Sequence, residues 1–209
     1  MSIEFENSQT KHNLMKAFSG ESQAFNRYVF SASQAKKENL QVIESIFLFT
    51  ANQEKEHAKV YYNLLKEFSG QKISISANYP VDNYNSTLEL LKAAQNNEYE
   101  EYKHDYSNFA RIAKEEGFNK ISSKFNTISK IEKTHSDRFK YFADLLKENK
   151  LFISNIETEW MCLNCGEVYK GLSAPKVCPS CEHNQGFFIS LELAPFTASS
   201  LLKPALFVS

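Results

Sequence analysis

Apolar residues recur every three or four positions through four long stretches, the period that lays them along one side of an α-helix. The spacing predicts a first helix over about Asn7–Lys37, ended by the polar run Lys36-Lys37-Glu38-Asn39. A second should cover Gln41–Phe68 and stop at Ser69-Gly70, where glycine suits a left-handed helix end. The third is expected from Ser86 to about Glu116, with Ser86 as N-cap and Glu89 three residues on, as in a capping box. The fourth follows over Asn119–Asn149, and the short link at Gly117 makes the last two antiparallel. The stretch Ser69–Ser86 is too long for a tight turn. A helix of about 28 residues spans about 42 Å, whereas an extended chain of that stretch's length reaches about 60 Å. It can therefore travel back along a bundle, with Ile73 and Ile75 alternating with serines to pack on it. The predicted architecture is mainly α: two short-looped hairpins joined by one long crossover.

The apolar stripes are interrupted by charge. Glu21 falls among Leu14, Ala17, Phe18, Ala24, Phe25 and Tyr28, and Glu98 among Leu91, Ala94 and Tyr102. Glu-x-x-His occurs once in each half of the chain, as Glu54/His57 and as Glu132/His135. Phe47, Ala51, Ala58, Tyr61 and Leu65 flank the first copy, and Phe125, Ile128, Phe139 and Phe142 the second. Residues three apart share a helix face, so each copy aims a carboxylate and an imidazole the same way. The interval from Glu98 to Glu132 exceeds that from Glu21 to Glu54 by a single position, so the two halves carry their acids in register. A charge in an apolar stripe is costly unless paired, and a metal cation is the usual partner. A Glu from each of two helices with a Glu-x-x-His from each of the other two is the ligand set of ferritin-like di-iron and di-manganese carboxylate bundles. The competing reading, buried acids at bundle ends or paired with lysines, must explain each coincidence separately.

Beyond Asn149 the helical period disappears. Cys162-x-x-Cys165 and Cys178-x-x-Cys181 form two knuckles separated by the stretch Gly166–Val177, and Gly166 and Pro179 suit the tight turns of a four-thiolate site. A pair of disulfides is the alternative for these four cysteines. Spacing does not separate zinc from iron, since both accept tetrahedral sulfur; beside a di-iron bundle, a one-electron iron centre has the clearer role. The expected division is residues 1–150 as the bundle, 151–191 as the cysteine unit, and 192–209 as a tail. Pro195 and Pro204 exclude one continuous helix there, and the tail is expected to lie on the bundle or on a partner subunit.

Charge and composition narrow the function. With 24 basic and 25 acidic residues and a net charge of −1, there is no electrostatic case for nucleic acid or an anionic membrane. The N-terminus has neither a basic start nor an apolar core, and no apolar run approaches the roughly 20 residues that cross a bilayer, so a cytoplasmic location is expected.

Several stretches are similar to rubrerythrins: E-S-Q-A-F-N-R-Y with Glu21, E-K-E-H-A-K with Glu54 and His57, and N-E-Y-E-E-Y ahead of F-A-R-I-A-K-E-E-G-F. E-K-T-H with Glu132 and His135, then W-M-C-L-N-C-G-E-V-Y-K-G and C-P-S-C, complete the likeness, which runs from about residue 10 to 191. The resemblance implies a ferritin-like di-iron bundle followed by a rubredoxin-like Fe(Cys)4 domain. It implies Glu21, Glu54, His57, Glu98, Glu101, Glu132 and His135 as di-iron ligands, with Glu101 the family's extra carboxylate, Glu54 and Glu132 bridging, and one iron moving from Glu101 towards His57 on reduction. It implies one iron on Cys162, Cys165, Cys178 and Cys181, with zinc a replacement after overexpression. Tyr28 and Tyr106 are candidate hydrogen-bond donors to the carboxylates, or plain core residues. Five carboxylates and two neutral imidazoles carry a formal charge of −5, which two ferrous ions bring to −1 and two ferric ions to +1. The implied activity is a peroxidase that reduces hydrogen peroxide to water in oxidative-stress defence, supplied by an external donor (a rubredoxin or a flavoprotein reductase) that draws on NAD(P)H. The alternative is a ferroxidase or storage protein. A homodimer is expected, or a larger oligomer, with one subunit's cysteine site serving another's di-iron site.

Overall fold

The computed structural model describes residues 3–195. Four helical rods form the bundle: α1 (Gln9–Lys37), α2 (Gln41–Leu64), α3 (Thr87–Glu100) continued by α4 (Tyr106–Glu115), and α5 (Asn119–Lys147). A small antiparallel sheet follows, β1 (Ile153–Cys162), β2 (Val168–Ser173) and β3 (Phe188–Ser190), in the order β2-β1-β3. This is the mainly helical, ferritin-like bundle with a crossover and a cysteine-rich knuckle unit that the sequence predicts. Residues 196–209, the greater part of the expected tail and Pro204 with it, lie outside the described residues.

Helix ends follow local chemistry. Ser8 caps α1, its hydroxyl accepting from the Lys11 N–H. At the other end Asn39 takes a left-handed φ of 58°, and the Leu40 N–H reaches back to the Ala35 carbonyl. Gly117 at φ 91° closes α4 the same way, with Phe118 N–H on the Ala113 carbonyl, and Asn149 at φ 55° closes α5. Each left-handed residue therefore turns the chain within a few positions, which makes the hairpins tight.

Three details differ from the sequence reading. Helix α2 ends at Leu64, and a 3₁₀ turn, Lys66–Phe68, carries the chain to Gly70 at φ 85°. The capping box at Ser86 does not form; Glu38, from the α1–α2 turn, accepts the Thr87 N–H instead at 2.9 Å. A neighbouring element thus satisfies the orphaned donor that Ser86 was expected to satisfy. Third, the expected single third helix is broken by a π turn, Glu101–Asp105, which inserts one residue between α3 and α4. That inserted residue accounts for the longer interval between Glu98 and Glu132. The hairpin turns and the Gln41–Glu54 and Asn119–Glu132 segments match residue for residue.

The crossover climbs beside α1. Tyr79 Oη donates to the Lys16 carbonyl, Asp82 accepts from Arg27, and the Asn85 carbonyl accepts from Gln34, which brings the chain to Thr87 beside Glu38. Ile73 and Ile75 are half-buried while Ser74 and Ser76 are exposed, the expected alternation. Two apolar clusters fill the bundle, one around Ala24, Tyr28, Phe47 and Phe139, the other around Leu14, Tyr61, Tyr106 and Phe125. The first also takes in Leu151, Ile189, Leu191 and Ala194, so the cysteine unit shares the bundle's core at the α1–α2 end.

The two units meet closely at Gly186, where an added Cβ would sit 1.9 Å from the Asn39 carbonyl oxygen and 2.2 Å from Gln41 Oε1. Gly186→Ala is expected to push the cysteine unit off the bundle at a cost of about 1–3 kcal/mol, as overpacking does. Thermal unfolding and limited proteolysis at the α5–β1 junction measure this; unchanged resistance to both would mean the seam yields without strain.

Candidate metal centres

Between the two apolar clusters lies a layer of charge. Glu21, Glu54, Glu98, Glu132 and His135 are at most 2% exposed, and His57 is 8% exposed. They come from α1, α2, α3 and α5, and their ligand atoms form two overlapping groups: Glu21, Glu54, His57 and Glu132, and Glu54, Glu98, Glu132 and His135. Glu54 and Glu132 belong to both. Glu54 places Oε2 3.0 Å from His57 Nδ1 and Oε1 2.8 Å from His135 Nδ1. Glu132 places Oε1 3.1 Å from His57 Nδ1 and Oε2 2.9 Å from His135 Nδ1. Each of these carboxylates thus offers one oxygen to either side. Glu21 Oε2 lies 3.8 Å from His57 Nδ1, and Glu98 Oε2 3.6 Å from His135 Nδ1, so each serves one side.

The outer oxygens are tied back. Tyr28 Oη donates to Glu98 Oε1, and Tyr106 Oη donates to Glu21 Oε1, both buried and both across the bundle. The arrangement is reciprocal: the tyrosine of α1 holds the acid of α3, and the tyrosine of α4 holds the acid of α1. Tyr28 stands seven positions after Glu21 and Tyr106 eight after Glu98, and the extra position is that of the π turn.

What remains unsatisfied points inward. Glu21 Oε2, Glu54 Oε1, Glu98 Oε2, both oxygens of Glu132 and Nδ1 of His135 are buried without a hydrogen-bond partner. Groups like these cost several kcal/mol each in a dry interior. Ligand atoms about 2.1 Å from one shared cation lie about 3 Å apart, the spacing found here. The donor set therefore fits two divalent cations, with Glu54 and Glu132 bridging.

The electrostatics agree. Burial raises Glu21 to about 7 although the neighbouring His57 pulls it down, and burial with the charge of Glu54 pushes Glu132 well above the usual carboxylate range. Burial opposes charge on the imidazoles, yet the neighbouring carboxylates of Glu21 and Glu54 lift His57 to about 10. The neighbouring carboxylates of Glu132, Glu54 and Glu98 lift His135 to about 12 against the same burial. Protons occupy the place that cations would take.

Glu101 does not join either group. It opens the π turn, half-buried beside the layer, and burial together with the charges of Glu21, Glu98 and Glu54 pushes its carboxyl well up. With anions on its inner side and Arg27 as its positive neighbour, it stands outside the cluster. Arg138 escaped the sequence reading. Its Nη1 donates to Thr50 Oγ1 and Gln53 Oε1, bracing α5 against α2 one turn from His135. The signal was present: the chain has three arginines, and two of them, Arg27 and Arg138, stand six positions after Glu21 and Glu132.

The four cysteines are free thiols whose sulfurs all lie within 4.8 Å of one another. Cys162–Cys181 and Cys165–Cys178 are 3.8 and 3.6 Å apart, too far for disulfide bonds of about 2.05 Å. Four sulfurs about 2.3 Å from one tetrahedral ion sit about 3.8 Å apart. The knuckles are copies of one turn: Gly166 N–H bonds the Cys162 carbonyl at φ 81°, and Glu182 N–H bonds the Cys178 carbonyl at φ 60°. The backbone N–H of His183 holds the Cys181 thiol down at about 6, favouring thiolate.

Known proteins share this arrangement. The family model described as rubrerythrin matches residues 12–143, and that of the rubrerythrin rubredoxin-like domain matches residues 160–189. Rubrerythrin of Clostridium perfringens is 42% identical over 181 residues, covering 86% of this chain and 93% of the relative. Rubrerythrin of Porphyromonas gingivalis is 41% identical over 188 residues, covering 90% and 92%. The solved structure of fully reduced, all-ferrous nigerythrin matches with a TM-score of 0.59 at 25% identity, over 89% of this chain and 91% of that one. A bacterioferritin of Desulfovibrio desulfuricans shares the bundle fold, with a TM-score of 0.61 at 18% identity over 68% of this chain and 82% of that one.

The metal-free protein should show the protonated layer in its pH dependence. Glu21 titrates at about 7 in the fold against 4.5 ordinarily, and His57 at about 10 against 6.5, so from pH 4.5 to 10 the folded state holds more protons than the unfolded chain. Stability then falls as pH rises, and the melting temperature of the metal-free protein is expected to drop between about pH 5 and 9. Loading with metal displaces those protons and should raise and flatten the curve. Calorimetry on both forms measures this; a metal-free melting temperature that climbs over that range would contradict a protonated layer.

Proposed function

The chain belongs to the rubrerythrin family, and from that premise we propose that it is a peroxidase that reduces hydrogen peroxide to water with electrons passed through its cysteine site. The observation that carries this reading is the doubled pocket, in which Glu54 and Glu132 each give one oxygen to either side. Held by Glu21, Glu54, His57, Glu98, Glu132 and His135, two ferrous ions would supply the two electrons that, with two protons, turn one peroxide into two waters, and an iron held by the four cysteines would supply electrons singly. The all-ferrous state of nigerythrin supports iron as the metal.

The protein's own part is positioning. Tyr28 and Tyr106 fix the outer oxygens of Glu98 and Glu21, so that the inner oxygens stay aimed at the pocket. The apolar clusters above and below keep bulk water from the layer. A ferroxidase or storage role would use the same bundle, but it has no use for a four-thiolate site in the same chain.

The electron route favours a partner. The cysteine unit meets the bundle at Asn39 and Gln41, and Glu54 lies further along the same helix α2, a rise of about 20 Å. Transfer over such a span is slow, so the subunits are proposed to pair as a two-fold dimer in which each cysteine site faces the other subunit's carboxylate layer. An external donor, a rubredoxin or a flavoprotein reductase, then recharges it.

Rapid mixing of the reduced protein with hydrogen peroxide and with oxygen tests the activity. Oxidation by peroxide at least about tenfold faster than by oxygen is expected, a difference of about 1.4 kcal/mol in barrier; a preference for oxygen with release of peroxide would favour ferroxidase chemistry. Complementation tests the pairing: a Cys162→Ser/Cys165→Ser variant mixed with a His57→Ala/His135→Ala variant should recover peroxidase activity that neither has alone. Full activity in a demonstrably monomeric sample would rule the exchange out.

A further inference from the structure

A cavity of about 480 Å³ lies beneath the crossover, against the outer side of the carboxylate layer. Its inner wall is made by Ala17, Gly20, Glu101 and Tyr106, and its roof by Ala77, Tyr79 and Pro80. The inner wall belongs to the layer's immediate surroundings. Gly20 precedes Glu21, Tyr106 donates to Glu21, and Glu101 feels the charges of Glu21, Glu98 and Glu54. Glu21 itself has no exposed surface and does not line the cavity, so it lies behind this wall.

The roof is pinned from two sides. The crossover has no helix or strand between Gly70 and Ser86, yet it is anchored both above and below the Glu21 level. Below, Tyr79 Oη donates to the Lys16 carbonyl at 2.8 Å, and the Tyr79 ring lies 3.6 Å from where a Cβ on Gly20 would stand. Above, Asp82 Oδ2 accepts from Arg27 Nη1 and from Asn97 Nδ2, each at 2.7 Å, tying the crossover to α1 and α3 together. Arg27 and Asp82 are only 12% and 14% exposed, so this ion pair is shielded from the screening that weakens surface pairs. A bulky ring is therefore fixed over a chamber of mixed lining, in which Asn97, Glu100, Glu101 and Asp105 offer polar groups beside Ala17, Pro80 and Phe109.

We propose that this chamber is the oxidant's way in and that Tyr79 is the residue that sets which hydroperoxides reach the layer. Hydrogen peroxide, small and able to donate and accept hydrogen bonds, passes the Tyr79 edge and meets polar side chains. Organic hydroperoxides with a bulky substituent are stopped by the ring. The proposal rests on the peroxidase reading for its substrate, but not for its route.

The test uses the iron-loaded full-length protein with azide as a probe that binds without turnover. Tyr79→Ala opens the roof, and Ala77→Trp, at an exposed position, narrows it. In Tyr79→Ala, azide association with the oxidised protein should quicken, and the rate with cumene hydroperoxide relative to hydrogen peroxide should rise, each by about tenfold, the low end of steric discrimination in pockets. Ala77→Trp should slow azide association and dissociation alike, leaving affinity unchanged, as a narrowed passage does. Tyr79→Phe keeps the ring and should keep the wild-type ratio of hydroperoxides. Azide rates indifferent to both Tyr79→Ala and Ala77→Trp would overturn the route. Responsive azide rates in a protein that turns over no peroxide would support the route and overturn the peroxidase reading; peroxide turnover with indifferent azide rates would do the reverse.

Discussion

Four glutamates and two histidines sit in one dry layer of the bundle, and their mutual charge is the constraint that the rest of the structure answers. Carboxylates at this spacing repel one another, and each loses its hydration on burial. The fold offsets this by convergence: every inward oxygen has an imidazole nitrogen within 4 Å, and Glu54 and Glu132 reach both imidazoles. Hydrogen bonds among these groups still leave six atoms that face the layer unpartnered, all in residues of the two ligand groups. Unpartnered atoms elsewhere, as on Asn13, Gln41 and Tyr61, occur one to a side chain and do not converge. An interior that gathers its open polar atoms at one point is built around something that binds there.

The two-fold character of the layer follows from the repeat in the chain, and so does its one asymmetry. Matching hairpins, each closed by a left-handed residue, bring Glu21 opposite Glu98 and Glu54 opposite Glu132. The π turn breaks the match. It adds a residue on one side only, and Glu101 opens it. A π turn widens the helix and weakens its hydrogen bonding, so it costs stability and is found mostly where function needs it. Here it puts an extra carboxylate between the layer and the cavity under the crossover, where the opposite hairpin presents the small residue Gly20.

Much of this was legible from residue spacing. Periodicity located the helical rods, because a buried stripe must repeat with the helix whatever its surroundings. The acids within the stripes gave the layer, since an anion is placed in an apolar stripe only with a partner. The C-x-x-C pairs gave the sulfur site, since each knuckle is a local turn fixed by neighbours in sequence. What escaped depends on contacts between distant residues. Ser86 looks like a cap, but Glu38, from the far end of the first hairpin's opening helix, is the one that meets the Thr87 N–H. The π turn left a single trace, the extra residue between Glu98 and Glu132, which an insertion anywhere in the hairpin would also leave. Glu101 shares a face with Glu98 on an ideal helix and feels its charge, but it belongs to neither of the two ligand groups.

The crossover shows why such a segment is opaque to sequence and still specific in structure. Its composition, rich in serine and asparagine, promises only an irregular connection. Specificity comes from two side chains and one carbonyl placed at intervals that match α1 and not the crossover's own period: Tyr79 to Lys16, Asp82 to Arg27, and the Asn85 carbonyl met by Gln34. A shielded ion pair adds little net stability once desolvation is counted, but it is costly to misplace. Arg27 brought to any other depth of the bundle would be buried without Asp82. The pair therefore fixes the height at which the crossover passes Glu21, and with it the position of the Tyr79 ring. A connection needed only to join two hairpins could vary along its length; one that roofs the reactive layer has to be held at that level.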